Sequence, residues 1–131
     1  MISVLETNAL PGDKMNKDDE EKWVDANWLS NCGDDATAFP IFFELACRGH
    51  VDAIVAVGNM HIRGEGVPKD LDKGLAYLEQ AASLGQSTAA FNLGALYRTG
   101  SEGVPRNSEK SKHYFVLARE LGCTLPVDDY I

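Results

Sequence analysis

The chain has no long hydrophobic run. No stretch approaches the ~18 apolar residues that a bilayer crossing needs, which argues against a membrane-spanning helix. It also has neither a basic leader nor an apolar stretch of ~7 residues ahead of Asn8, Pro11 and Asp13, so no secretory signal is read and the expected compartment is the cytoplasm. Cysteine is scarce. Cys32, Cys47 and Cys123 are odd in number and show no CxxC spacing, which supports neither a disulfide framework nor a zinc site and leaves buried or idle thiols. Positive charge is short as well, with 12 Lys and Arg against 20 Asp and Glu. The resulting net charge of −8 opposes binding to nucleic acid or to anionic membranes. Nucleophile elbows and phosphate loops are missing too: Gly64-Glu65-Gly66 and the run from Gly100 to Gly103 are glycine-rich, yet no Lys-Ser or Lys-Thr follows either. No catalytic residue, cofactor or metal is expected.

What is present is a repeat. Gly58, His61 and Gly64 are answered by Gly94, Tyr97 and Gly100 at a spacing of 36. After one inserted residue the echo continues at 37, with Val67-Pro68 matched by Val104-Pro105, Lys73 by Lys110, Tyr77 by Tyr114, Ala81 by Ala118 and Gly85 by Gly122. A period in this range marks an array of small helical units that bury a shared core by stacking. At 131 residues the chain suits one domain able to bury roughly two-thirds of its unfolded surface.

Helical signals place the units. Residues 1–16, with Pro11-Gly12, read as a loose arm, and a first helix is expected from Lys17 to Asn31 with Asp18, Asp19, Glu20 and Glu21 at its positive end. Trp23, Ala26 and either Val24 or Leu29 supply its apolar stripe, and Trp28 adds a second large ring. A second helix runs from Asp34 or Thr37 to Arg48, with Pro40 placed in its first turn, where a missing N–H is harmless. Residues 17–49 are therefore a degenerate capping pair. Two full repeats follow over 50–85 and 86–122, each an inner helix (Asp52 to Arg63; Ser87 to Thr99) and an outer helix (Leu71 to Leu84; Glu109 to Leu121). Gly64 and Gly100 close the inner helices, and Asp70 and either Asn107 or Ser108 open the outer ones. Ala53/Ala89, Gly58/Gly94 and Ala82/Ala118 are small where helices cross, while Val57/Leu93, Leu78/Phe115 and His61/Tyr97 fill the space between them. His61 thus has a packing role; His50 follows the helix-ending Gly49, and His113 lies in a polar stretch. Residues 123–131 form a tail in which Pro126 breaks helix, and Leu125, Val127, Tyr130 and Ile131 suit docking over the last outer helix.

The sequence resembles Sel-1-like repeats, relatives of tetratricopeptide repeats. The residues that carry the likeness are Ala53, Val57-Gly58, His61, Gly64, Gly66-Val67, Asp70, Lys73-Gly74, Tyr77, Ala81-Ala82 and Gly85, then Ala89, Leu93-Gly94, Tyr97, Gly100, Gly103-Val104, Asn107, Lys110-Ser111, Tyr114, Ala118 and Gly122. His61 replaces an aromatic, Gly74 and Ser111 replace alanine, Asn107 replaces aspartate, and one residue is added between Gly100 and Gly103. The resemblance implies an all-α fold, a right-handed α-solenoid of antiparallel helix pairs with a concave face of inner helices. By analogy with tetratricopeptide arrays it also implies partner contacts at Asp52, Val55, Asn59, Ile62 and Arg63 of one unit and Thr88, Phe91, Ala95, Arg98 and Thr99 of the next. Ile62 and Phe91 are apolar there and suit either a partner anchor or packing against the neighbouring inner helix. A secreted branch of the family carries a cysteine pair in each repeat; this chain has none.

Two functions follow as expectations, both non-catalytic. One is an immunity or inhibitor protein that sequesters a basic toxin or effector domain, a role that the resemblance to bacterial members implies. The charge supports it: residues 1–35 hold nine acids against three lysines, which steers basic partners and also aids solubility. The other is a general adaptor that holds a peptide or helix in its groove.

Overall fold

The computed structural model describes residues 17–124, and six α-helices account for most of them. They are α1 (Lys17–Asn31), α2 (Asp35–Cys47), α3 (Val51–Arg63), α4 (Leu71–Ser83), α5 (Ser87–Thr99) and α6 (Ser108–Glu120), with a short 3₁₀ turn over Ser101–Gly103. Each start is written in local chemistry. The side chains of Asp34, Asp70 and Asn107 accept hydrogen bonds from the N–H groups of Thr37, Lys73 and Lys110, three residues on. His50 does the same through Nδ1, accepting from the Ala53 N–H at 3.0 Å, so it is a helix cap. Asn107, rather than Ser108, caps α6.

The helices pack in sequence order, α1 on α2, α3 on α4 and α5 on α6, with α2/α3 and α4/α5 joining the pairs into an all-α solenoid. Crossing points are built alike. Ala26 and Ala38 are fully buried where α1 meets α2. A Cβ on Gly74 would lie 2.7 Å from the Gly58 carbonyl oxygen where α3 meets α4. At the matching place between α5 and α6 the Ser111 hydroxyl donates to the Gly94 carbonyl at 2.9 Å. The alanine-to-glycine and alanine-to-serine departures therefore sit against the backbone of the neighbouring helix, one by vacating space and the other by bonding. Loop returns repeat as well: the Asp70 N–H donates to the His61 carbonyl at 2.8 Å, and the Asn107 N–H to the Tyr97 carbonyl at 2.9 Å.

The core forms two clusters. Ala26, Ala38, Phe42, Val57 and Met60 join the N-terminal pair to α3, with Trp23 and Leu29 packed alongside. Ile54, Ile62, Leu78, Leu93, Tyr97, Phe115 and their neighbours hold the two repeats together. Of the alternatives for α1, Leu29 faces inward and Val24 faces solvent. Trp23 packs edge-on against Phe42, with centroids 5.4 Å apart.

One expectation is corrected. Pro40 is the sixth residue of α2, in its second turn, and not in the first. It forgoes the bond to the Ala36 carbonyl, a loss tolerated on a helix secured by buried Ala38, Phe42 and Leu45. Of the two readings of the thiols, buried or idle, burial does not hold: Cys32 and Cys47 are exposed, Cys123 is half-buried, and all three are free. The arm expected over 1–16 and the tail residues from 125 lie outside the described residues.

His61 is the one buried imidazole among the described residues, stacked on Tyr77 with centroids 5.6 Å apart and edge-on to Phe39. Burial holds its pKa below the ordinary 6.5, Lys73 pushes the same way and Asp70 opposes. The unfolded chain then takes up the proton first. The neutral ring's contribution is complete above about pH 6.5 and is lost as pH falls through the folded-state value. His61→Tyr, which copies Tyr97, is expected to flatten that part of the stability curve. Urea midpoints at pH 7.5 and 5.5 test it; an equal fall in both proteins would remove His61 as the cause.

Candidate functional site

Where α3 and α5 run side by side, their C-terminal halves leave an open cleft of 350 Å³. One wall is Asn59, Ile62 and Arg63 of α3; the other is Asn92, Ala95, Leu96 and Thr99 of α5, and Ser101 and Glu102 close one end. The groove is mixed in character, with polar and apolar side chains on both walls. Asn59 and Asn92 are half-exposed, and their amides, each with donors and an acceptor, make no hydrogen bond to another described residue. The charges are held loosely. Arg63 sits 3.9 Å from Glu65, and Lys69 sits 3.6 Å from Glu102, all four half-exposed or more, so either pair exchanges readily for a partner's charge.

The end wall has an unusual backbone. Glu102 has φ 59°, the only left-handed non-glycine residue among those described. The inserted residue of the second loop thus appears as a short turn over Ser101–Gly103 that brings a carboxylate to the groove mouth. A side chain in this conformation costs on the order of 1–3 kcal/mol, which the loop's anchors, such as Val104 N–H to the Ser101 carbonyl, must offset.

Five of the ten residues expected at a partner surface line this cleft: Asn59, Ile62, Arg63, Ala95 and Thr99. Ile62 is only 2% exposed and Val55 9%, so both serve the core, and Ile62 fills the space that Gly74 vacates. Phe91 is half-buried and edge-on to Phe115 at 5.5 Å, also a packing role. Asp52 accepts from the Gln86 amide, and Thr88 is exposed beside it at the start of α5. Arg98 turns away from the groove to a separate cleft with Tyr97, Arg106 and Lys112. Asn92, Leu96, Ser101 and Glu102 were not foreseen. Both walls include foreseen residues, since the equivalent pairs Asn59/Ala95 and Arg63/Thr99 line the cleft together. The α5 wall extends one turn further back along its helix to Asn92, whose polar side chain among apolar neighbours was the available signal.

No group of three or more His, Cys, Asp or Glu among the described residues could hold a metal ion. Tyr114 is the most strongly shifted group: burial, then the nearby Glu79 carboxylate, pushes its phenol up to about 12. It stays protonated and donates to Glu79 at 3.2 Å, tying α6 to α4. No helix among the described residues is long and apolar enough to cross a membrane.

Comparison with known proteins agrees with the repeats and the fold. The family model described as Sel1 repeat matches residues 51–86 and 87–123. A Xenopus laevis protein named cytochrome c oxidase assembly factor 7A is 33% identical over 89 residues, 66% of this chain and 38% of that one. The crystal structure of a Sel1 repeat protein from Oxalobacter formigenes superposes with a TM-score of 0.66 at 22% identity, covering 82% of this chain and 47% of the other. That of c5321, a protective antigen of uropathogenic Escherichia coli with an SLR fold, gives 0.61 at 28% identity, covering 83% and 26%. The chain spans less than half the length of each of these relatives.

Proposed function

The chain belongs to the Sel1 repeat family, whose repeats act as protein-interaction modules, and on that premise we propose that it holds a basic protein partner through the α3/α5 groove. The observation that carries this is the pair of uncommitted amides, Asn59 of α3 and Asn92 of α5, that line one open cleft. Asparagine amides of this kind bond the N–H and C=O of an extended backbone, which any protein segment offers. The finer reading is an inhibitor or immunity protein that sequesters a toxin or effector domain, working in the cytoplasm and without catalysis. The net charge of −8 supports it through faster encounter with a basic partner. The neutral balance of Arg63 and Glu102 in the groove, and the name of the assembly-factor relative, favour the second reading, an adaptor for peptides.

The test titrates the chain with basic folded domains and with extended peptides of graded charge. Nanomolar binding to one basic domain, weakening as salt rises, supports the inhibitor; micromolar, salt-insensitive peptide binding supports the adaptor. In either case the double variant Asn59→Ala/Asn92→Ala should weaken binding by roughly tenfold or more, since each lost hydrogen bond is worth about 0.5–1.5 kcal/mol. Unchanged affinity would remove the groove from the account.

A further inference from the structure

The first helix carries an apolar pair where the solenoid elsewhere has contacts. Counted back from the last residues of α1, α3 and α5, Val24, Ala56 and Asn92 share one position, and Trp28, Met60 and Leu96 share another. On α3 these side chains pack into the cluster that joins it to the preceding pair, with Met60 5% exposed. On α5 they face α3 across the groove. On α1 the same two positions are open, with Val24 62% and Trp28 64% exposed. The end of the array thus presents the stacking face of an inner helix with no described helix upon it.

Its surroundings indicate what fits. Glu20, Glu21 and Asp25 lie beside Val24 around a shallow depression of 470 Å³, with Lys17 as the one basic group lining it. None of the three carboxylates makes an ion pair with a described residue, whereas Asp18 and Asp19 on the same helix are bound by Lys22 and Arg48. A second copy docking face to face would bring six carboxylates together, which disfavours a homodimer. A helix with an apolar stripe flanked by Lys and Arg would reproduce the stacking contact and neutralise the acids.

We propose that this end face of α1 docks a basic amphipathic helix of a partner protein, which takes the place of a preceding inner helix. Trp28 is the anchor, a large rigid ring whose burial concentrates binding energy. Glu20, Glu21 and Asp25 supply charge complementarity. The inference builds on the reading of the chain as a binder of basic partners and assigns a second contact surface outside the groove.

Fluorescence anisotropy of a labelled 16-residue Leu/Lys amphipathic helical peptide tests it on the full chain. Binding should weaken at least tenfold with Trp28→Ala and with the isosteric set Glu20→Gln/Glu21→Gln/Asp25→Asn, fall as salt rises, and stay unchanged with Asn59→Ala/Asn92→Ala. All these residues except Asn59 and Asn92 are exposed, so circular dichroism should show the end-face variants folded. Absence of binding, or binding indifferent to Trp28→Ala, overturns the proposal. Loss of binding in the groove variant alone would assign the peptide to the groove, sinking this inference while leaving the proposed function standing. Self-association abolished by Trp28→Ala would assign the face to a second copy. Iodide quenching of the free monomer that Trp28→Ala does not reduce would show the face already covered by the chain itself; either result overturns the proposal.

Discussion

Phe115→Ala should remove about 3–5 kcal/mol of stability, a large share of what a domain of this size possesses. The ring is 1% exposed, edge-on to Phe91, and lies so close to α5 that a Cβ on Gly94 would stand 2.9 Å from it. In the preceding repeat Leu78 holds the matching position against Gly58, with 3.3 Å to the same hypothetical atom. Both repeats thus press a large apolar group into a glycine notch, and truncation leaves a cavity that rigid helices cannot close. A fall in Tm on the order of 10–20 °C is expected. Because units in a solenoid touch only their neighbours, hydrogen exchange should show α5 and α6 losing protection before α1 and α2. A Tm shift of only a degree or two would mean the ring does not fill that crossing.

Gly66→Ala is expected to destabilise by roughly 2–5 kcal/mol, combining ~1–2 for a left-handed alanine with ~1–3 for a forced displacement. Gly66 has φ +74°, and a Cβ there would lie 2.3 Å from the Asp35 carbonyl oxygen, a backbone atom that cannot turn aside. The loop between α3 and α4 is thereby seated on the first turn of α2. Gly64→Ala is the control. It has nearly the same φ, +71°, but its nearest neighbour is the Lys69 Cβ at 3.2 Å, so it should carry mainly the conformational penalty. Urea melts of the two variants decide the matter: if Gly66→Ala is no worse than Gly64→Ala, the loop is not seated on Asp35.

Most of the fold was legible because its signals are local. A capping side chain bonds three residues away, an amphipathic stripe recurs every turn, and Gly64 and Gly100 close their helices within one turn. The helix limits foreseen for α1 and α5 agree with the structure to the residue, and the others to within one or two. The Pro40 assignment failed for a related reason. α2 begins with the capping bond of Asp34 to Thr37, one turn ahead of the proline, and packing sustains the helix through it.

The lining of the candidate groove was only half legible. Asn59, Ile62, Arg63, Ala95 and Thr99 line the groove, Ile62 while largely buried in the core, and Asn92, Leu96, Ser101 and Glu102 complete the walls. Sequence alone determined that this chain is an array of helical hairpins, because caps, periodicity and the 36-residue echo are properties of neighbours along the chain. Tertiary structure alone decided which flanks meet and which remain open: Ile62 covered by α4, Asn59 and Asn92 brought to one cleft, and Val24 and Trp28 exposed on α1. The physical reason is that burial depends on what lies across from a side chain, and a residue at the same repeat position has a neighbouring helix inside the array and no described one beyond α1.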